Sequence, residues 1–192
     1  LHVKNRQVVI WIIDRSKNNN KNRGIELRIL GIDPGYAIVG FGVLDYRGQI
    51  FTPVEYGAIF TEAHTDFNQR LNSIFTDMEC ILEKYKPDCM AIERLYFTTN
   101  QKTAIDVAQA RGVINLAASR KSIPIFEYTP LQVKQSVVGY GKATKHQVMD
   151  MTKRILKLAD VPKPDDTADA LAIAICHGHC TQSMEMRKSY DI

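Results

Sequence analysis

No stretch of the 192-residue sequence approaches the roughly 20 consecutive apolar residues that a membrane-spanning helix needs. The longest apolar run near the start, residues 8–13, is too short for the core of a signal peptide, and no small-residue cleavage site follows it. With 45% apolar and 24% charged residues, the composition is that of an ordinary globular protein. We therefore expect a cytoplasmic protein with one domain, since single cores organise on the order of 100 to 200 residues.

Cysteine is scarce, and its placement argues against a framework of disulfides. The four cysteines, Cys80, Cys89, Cys176 and Cys180, lie inside apolar periodic segments, which is typical of reduced thiols. Residues 176–180 read Cys-His-Gly-His-Cys, and these residue types suit zinc. A structural zinc site generally recruits a second ligand pair from another segment, however, and we interpret Gly178 as the end of a helix. A zinc site is therefore the less favoured interpretation.

The net charge of +4 suggests a polyanionic partner, and its distribution is informative. Residues 1–26 carry +4, so the rest of the chain is neutral overall. Within that rest, residues 94–161 hold eleven basic against four acidic residues, whereas residues 27–93 carry −5 and residues 162–192 carry −2. A basic middle between acidic flanks suits an enzyme that binds phosphates with one region and metal ions with the others, although a solvated charged face is an equally simple explanation.

Three regions differ in sequence character. Residues 1–26 combine a short apolar run with polar, low-complexity sequence, and we expect them to form a disordered N-terminal extension. Residues 27–180 show regular periodicity and form the predicted domain. Residues 181–192 are predicted to be a flexible C-terminal tail.

The periodicity of the body predicts an α/β fold. Apolar runs predict strands at residues 28–33, 39–44 and 49–60, and then at residues 89–93 and 123–127. Helices are predicted at residues 67–85 and 103–121 between those strands, and at residues 131–138, 145–158 and 166–176 after them. Alternation of helix and strand implies parallel pairing beside the first strand. The order is that of the ribonuclease H-like fold, a five-stranded mixed sheet flanked by helices.

Acidic residues stand at the ends of two predicted strands. Asp33 ends the first strand before Pro34 and Gly35, and Glu93 ends the fourth. Both follow apolar residues that a sheet would bury, and an ionised carboxylate in such a place is costly unless a cation or hydrogen bonds compensate it. A metal ion bound between neighbouring strand ends would meet that need.

The last predicted helix supplies two more acids. Asp166 and Asp169 are three positions apart and therefore share one face of its first turn. Hard oxygen ligands of this kind suit Mg²⁺ or Mn²⁺, and two such ions could activate water for hydrolysis of a phosphodiester. Taken singly, Asp166 is more often a helix cap and Asp33 a turn residue. Together, the four acids predict a metal site.

Six segments in this order resemble the RuvC family: residues 29–35 (Ile-Leu-Gly-Ile-Asp-Pro-Gly), 91–93 (Ala-Ile-Glu), 109–113 (Gln-Ala-Arg-Gly-Val), 126–128 (Phe-Glu-Tyr), 133–139 (Val-Lys-Gln-Ser-Val-Val-Gly) and 168–174 (Ala-Asp-Ala-Leu-Ala-Ile-Ala). The resemblance runs from Leu27 to about Cys180. It implies a homodimeric endonuclease that nicks two opposing strands of a four-way DNA junction, the Holliday junction, and works with RuvA and RuvB in DNA recombination and repair.

The resemblance also implies roles for individual residues. The family's four metal-binding acids fall on Asp33, Glu93, Asp166 and Asp169, with two Mg²⁺ ions expected and Mn²⁺ able to substitute. The family's basic residues near the scissile phosphate match Lys134 and Lys145, which by themselves would be read as surface charges. Where the family often has a phenylalanine that stacks on DNA, this chain has Tyr96 with Phe97 beside it; we expect Tyr96 to stack and Phe97 to pack inside, the reverse arrangement being the alternative.

Other functions remain to be weighed against this one. Sugar-kinase-like and chaperone-like ATPases begin with a similar strand and turn, but they need two large lobes that 192 residues do not supply. A non-catalytic DNA-binding module of the same fold would be marked by loss of an acid, and all four are present. Another ribonuclease H-like nuclease, acting on RNA-DNA hybrid or RNA, is the remaining alternative.

Overall fold

The computed structural model describes residues 8–11, 26–95 and 101–190, and the side chains of residues 27–95 and 103–181. Every strand and helix predicted from residue 27 onward is present, with ends within three residues of the prediction except at the last helix. The elements are β1 (Val8–Trp11), β2 (Glu26–Asp33), β3 (Ile38–Arg47), β4 (Ile50–Phe60), α1 (Phe67–Tyr85), β5 (Cys89–Glu93), α2 (Gln101–Arg120), β6 (Ile125–Tyr128), α3 (Pro130–Val138), α4 (Lys145–Ile155) and α5 (Asp165–Tyr190).

The strands form one mixed sheet in the order β1-β4-β3-β2-β5-β6. β2, β3 and β4 are an antiparallel meander, and β5 and β6 continue from β2 as parallel strands. Parallel neighbours require crossover connections, and α1 and α2 provide them. The predicted mixed sheet and its ribonuclease H-like order are confirmed.

The sheet contains a sixth strand that the sequence analysis missed. β1 pairs antiparallel with β4, with Val8 opposite Ile59 and Trp11 opposite Tyr56. The prediction that residues 1–26 are disordered is therefore wrong for residues 8–11 and for Glu26, which begins β2. The physical reason is that the apolar run satisfies the open backbone groups of the β4 edge, which outweighs the polar sequence that follows it. The other residues of the segment lie outside the described ranges.

Removing residues 1–25 should lower the stability of the protein only slightly, because it deletes only a short edge strand. We expect the melting temperature to fall by less than about 5 °C, since about 1 kcal/mol corresponds to 2–4 °C in a domain of this size. Cleavage of a DNA junction, the activity that the resemblance implies, should be unchanged, because β2 and β5, which carry Asp33 and Glu93, lie three and four strands away from β1. Thermal unfolding and a cleavage assay on the truncated protein measure both. Loss of cleavage at unchanged stability would give the segment a direct role in activity.

Alternation along the strands assigns each residue to one face of the sheet. Leu30 and Ile32 of β2, with Met90 and Ile92 of β5, pack in the core that α1 and α2 cover. Ile29, Cys89 and Ala91 belong to the core beneath α3, α4 and α5. Because side chains alternate with a period of two, Asp33 and Glu93 lie on the same face as Ile29 and Cys89. Both acids therefore face α5.

Capping boxes fix where α3 and α4 begin. Thr129 accepts a hydrogen bond from the Gln132 backbone at the start of α3, and Thr144 does the same for Gln147 at the start of α4. In each case the threonine backbone N–H donates to Oε1 of the glutamine side chain, so two otherwise unpaired N–H groups are satisfied. Lys145 consequently occupies the first position of α4.

α5 extends further than predicted. It ends at Tyr190 rather than near Cys176, so the prediction of a tail beginning at residue 181 is corrected to a helix that continues through residue 190. Gly178 lies inside this helix rather than at its end. Glycine is needed there because a Cβ atom would lie 2.4 Å from Cε1 of Phe51. Close packing, not termination, explains this glycine. Among the described residues, no helix combines the length and apolar character needed to cross a membrane.

Candidate active site

The pairing of β2 with β5 brings two acids together. Ile32 is the register partner of Ile92, so Asp33 and Glu93 are the next residues at the carboxyl ends of adjacent parallel strands. Both are only partly exposed and lie on the face covered by α5. The sequence prediction that these acids share one end of the sheet matches this placement.

Glycines allow α5 to deliver the other two acids. Gly40 of β3 is the cross-strand partner of Asp33, and a Cβ atom on Gly40 would lie 2.0 Å from the Asp166 carbonyl oxygen. Gly31 has a similar relation to α5, since its Cβ would lie 2.1 Å from the Ala170 carbonyl oxygen. The first turn of α5 therefore rests directly on the sheet beside Asp33. No periodicity in the sequence revealed this close approach.

The electrostatics show that the carboxylates crowd one another. The pKa of Asp33 is raised to about 8, mainly by burial and then by the charges of Glu93, Asp169 and Asp166 in that order, while Lys145 opposes the shift. Burial and then Asp169 raise the pKa of Glu93, while burial raises that of Asp169 although Lys145 opposes it. Asp33 is thus at the centre of a partly buried cluster whose negative charge is under-compensated.

Lys145 is the cation that the structure places in this cluster. Its Nζ lies 2.9 Å from Asp169 Oδ2 and 3.8 Å from Asp165 Oδ2. Burial lowers the pKa of Lys145, but the bond to Asp169 and the neighbouring acids raise it overall. The sequence analysis gave Asp165 no role, and its position next to Asp166 was the only available signal.

A cleft of about 180 Å³ joins two of the predicted acids, Glu93 and Asp169, to the predicted lysines. Its lining residues are Glu93, Pro130, Val133, Lys134, Lys145, Val148, Asp169 and Ile173. The structure thus gathers the four acids, Lys134 and Lys145 at one end of the sheet. Tyr96 and Phe97 lie outside the described residues, so the structure does not address the prediction that one of them stacks on DNA.

The donor set fits a divalent metal ion. Carboxylate oxygens are the ligands that Mg²⁺ and Mn²⁺ prefer, and a cation would compensate the charge that makes Asp33 hard to ionise. Within the described ranges, no three His, Cys, Asp or Glu side chains already surround a single point closely enough to enclose an ion. Asp33, Glu93, Asp166 and Asp169 are the residues predicted to hold the metal.

The cysteines and histidines of residues 176–180 have other contacts. The His177 Nδ1 atom lies 2.7 Å from the hydroxyl oxygen of Tyr128, and the His179 Nδ1 atom lies 3.1 Å from the Ser136 hydroxyl oxygen. Cys176 is buried in α5, and all four cysteines are free thiols. These side chains bind the second half of α5 to β6 and α3, away from the acids of its first turn.

A sheet of this order, with acids at the carboxyl ends of adjacent parallel strands and at the start of a helix above them, is typical of metal-dependent nucleases of the ribonuclease H-like fold. The sequence profile described as RuvC, crossover junction endodeoxyribonuclease RuvC, matches residues 29–177. The chain therefore belongs to the RuvC family of crossover junction endodeoxyribonucleases. The predicted family, fold and enzyme class are confirmed.

Individual relatives agree with this assignment. Crossover junction endodeoxyribonuclease RuvC of Brevibacillus brevis is 58% identical over 151 residues, covering 79% of this chain and 91% of that protein. The enzyme of the same name from Alkaliphilus oremlandii is 53% identical over 160 residues, covering 83% of this chain and 98% of that protein.

Solved structures agree as well. Thermus thermophilus RuvC in complex with Holliday junction substrate aligns with a TM-score of 0.79 at 31% identity, covering 82% of this chain and 96% of that one. The yeast mitochondrial Holliday junction resolvase, at 16% identity and a TM-score of 0.65, shows the shared fold alone.

Proposed function

We propose that this chain hydrolyses one phosphodiester bond in each of two opposing strands of a four-way DNA junction, with Asp33, Glu93, Asp166 and Asp169 as its metal-binding residues. One observation carries the proposal: the acids converge on Asp33, and the same cleft that exposes Glu93 and Asp169 also exposes Lys134 and Lys145. Membership of the family of crossover junction endodeoxyribonucleases supplies the substrate class.

The metal requirement follows from the family, whose nucleases are metal-dependent. We propose Mg²⁺ as the ion, two per site, with Mn²⁺ as a substitute. When bound, the ions supply an activated water and charge stabilisation for the leaving 3′ oxygen. Asp33 and Glu93 hold their carboxylates on rigid strand ends, which fixes the direction of their oxygens relative to the backbone of the sheet.

The lysines have a complementary role. Lys145 holds Asp169 through its 2.9 Å contact and keeps a positive charge at the mouth of the cleft. Lys134 of α3 lines the same cleft, where we propose that it neutralises an oxygen of the same phosphate group. Tyr96, three residues after Glu93, is proposed to stack on a base beside the scissile phosphate, and its match to the family's aromatic position supports this role.

Two copies of the chain would be needed for paired cleavage. A four-way junction must be cut in two opposing strands, and the described residues form one cluster of this kind per chain. We therefore propose a homodimer acting with the branch-migration proteins RuvA and RuvB in DNA recombination and repair. Because its substrate is DNA, we place its activity in the cytoplasm of a bacterial cell.

A synthetic four-way junction tests this function directly. Purified protein with Mg²⁺ should nick two opposing strands at symmetric positions and leave a linear duplex of the same sequence intact. An RNA-DNA hybrid should be included, because preferential cleavage of the hybrid would instead support the alternative nuclease. Binding to the junction without nicks under every metal condition would support a non-catalytic module.

Replacing Lys145 with alanine should lower the cleavage rate about ten- to a hundredfold, because loss of about 1.4 to 2.8 kcal/mol of transition-state stabilisation has that effect. The rate is measured in single turnover with saturating protein, so that binding does not limit it. Lys121→Ala is the matched control: it removes the same charge beyond the end of α2, before β6 begins, and should leave the rate unchanged. Equal losses in the two variants would show a general charge effect rather than a role for Lys145.

A further inference from the structure

A second group of charged side chains lies behind the active-site end of the sheet. Glu127 is on β6 between Phe126, which contacts His177 on the α5 side, and Tyr128, which belongs to the core on that same side. Because side chains alternate along a strand, Glu127 faces α2, on the opposite side of the sheet from Glu93. Its carboxylate pairs there with two arginines, Arg94 and Arg111.

Arg111 connects this group to the end of β5. Its Nη2 donates to Glu127 Oε1, and its Nε donates to the backbone carbonyl oxygen of Glu93 at 3.4 Å. The Arg111 side chain is only 17% exposed, so water competes little for these bonds. The Arg111 guanidinium thus joins the Glu127 carboxylate to the main chain of Glu93.

Arg94 is the second arginine that joins Glu127 to the end of β5. Its Nε donates to Glu127 Oε2 at 3.2 Å, and its backbone N–H donates to the Tyr128 carbonyl oxygen at 2.8 Å. The two oxygens of Glu127 therefore bind two different arginines, one adjacent to Glu93 in sequence and one bonded to its carbonyl. Both arginines lower the pKa of Glu127, with the bond from Arg111 as the main cause.

We propose that Glu127 is a positioning residue, which with Arg94 and Arg111 forms a clamp that fixes the main chain of Glu93 and thereby directs its carboxylate into the metal site. The inference rests on the proposed role of Glu93 as a metal-binding residue. A ligand carboxylate displaced by even a fraction of an ångström binds its ion less well, and partners of ligands typically change metal affinity or activity by about 10- to 100-fold.

The charges of the clamp allow a positioning role of Glu127 to be distinguished from a simple loss of stability. Two arginines and one glutamate leave a net charge of +1, and removing the glutamate charge would leave +2 at the end of the sheet that carries Glu93. Affinity for a polyanion should then stay the same or increase, since each added phosphate contact strengthens binding at low salt. Catalysis should therefore fall without any loss of DNA binding.

The test uses the full chain with Glu127→Gln. We expect single-turnover junction cleavage to fall about tenfold, and metal-free junction affinity to be equal or up to a few fold higher. Affinity for Mn²⁺, followed by the electron paramagnetic resonance signal of the free ion, should weaken by about the same tenfold factor. Arg111→Lys is the second variant, because one ammonium keeps the charge but cannot donate to Glu127 and Glu93 as the planar guanidinium does. It should reproduce the loss of rate and of Mn²⁺ affinity.

Asp150→Asn is the matched control. Asp150 also pairs with an arginine, Arg154 at 2.9 Å, but on α4 and without contact to the acid cluster. It should change neither rate nor Mn²⁺ affinity. The proposal is wrong if both Glu127→Gln and Arg111→Lys bind Mn²⁺ with wild-type affinity. It is also wrong if the loss of cleavage rate is explained by a lower melting temperature or by weaker junction binding. If the wild-type protein binds Mn²⁺ but does not cut junctions, the proposed function fails, while the Mn²⁺ measurement still decides the clamp.

Discussion

Asp33→Asn is expected to reduce junction cleavage by at least about a thousandfold, because the metal contributes several kcal/mol of charge stabilisation and each 1.4 kcal/mol is tenfold. Asp33 is the residue most affected by the other three acids, so its loss removes the centre of the proposed site. Junction binding should stay within about threefold, since affinity comes mainly from contacts with phosphates. Glu93→Gln and Asp169→Asn should behave in the same way.

The same substitution should stabilise the metal-free protein in a pH-dependent manner. The folded pKa of Asp33 is raised from 3.8 to about 8, so the folded state holds a proton that the unfolded state releases between these values. The stability of the metal-free protein therefore falls as pH rises from about 4 to 8. Asparagine removes this cost. We expect the melting temperature of Asp33→Asn to exceed that of the wild type by on the order of 5 °C at pH 8, and to match it near pH 4.

Thermal unfolding in the presence of a chelator, combined with single-turnover cleavage and a binding assay without metal, tests both statements. Asp150→Asn provides the control, because it removes a carboxylate that is paired with an arginine on the surface of α4. A variant of Asp33 that cuts at the wild-type rate would remove this residue from the site. A variant that melts at the wild-type temperature at both pH values would show that Asp33 is not under-compensated.

Gly40→Ala is expected to disable the enzyme through the backbone rather than through a ligand. A Cβ atom at this position would lie 2.0 Å from the Asp166 carbonyl oxygen and 2.3 Å from its carbonyl carbon. Both atoms belong to the main chain of α5, so the helix must move by more than an ångström to admit the methyl group. Overpacking of this kind costs about 1–3 kcal/mol, and displacement of the first turn carries Asp166 and Asp169 away from Asp33.

We expect Gly40→Ala to lower the melting temperature by about 2 to 12 °C and cleavage at least a hundredfold, because misplacement by 1 Å can cost that much. Gly112→Ala is the control, and it should raise the stability of the protein slightly rather than lower it. Gly112 lies in α2, nothing is within 4 Å of its Cβ position, and alanine in a helix is more favourable than glycine by about 0.5–1 kcal/mol. Unchanged cleavage by Gly40→Ala would show that α5 can shift without disturbing the acids.

The acids were predictable from the sequence because their positions carry a local signal. Asp33 and Glu93 each follow a buried apolar run, and Asp166 and Asp169 have the spacing that places them on one helix face. Period-two alternation then accounts for the shared face of Asp33 and Glu93. The parallel arrangement of β2, β5 and β6 was predictable because helices alternate with strands along the sequence in this part of the chain.

Features that depend on distances between segments were not predictable. The need for glycine at Gly40 arises only when α5 lies on β3, and the contact of Lys145 with Asp169 arises only when α4 and α5 meet. The pairing of residues 8–11 depends on an open edge of β4 elsewhere in the chain. Gly178 misled the prediction of the end of α5, because its reason is the ring of Phe51 rather than a helix terminus.

The origin of the four acids in three distant segments has a consequence for how activity first appears during synthesis. A chain that has emerged only as far as β6 contains Asp33 and Glu93, and these become neighbours once β2 and β5 pair. Asp166 and Asp169 lie on α5, the last element of the chain. A chain released before α5 would therefore lack two of the four proposed metal-binding acids, and we expect it to leave the DNA around it uncut.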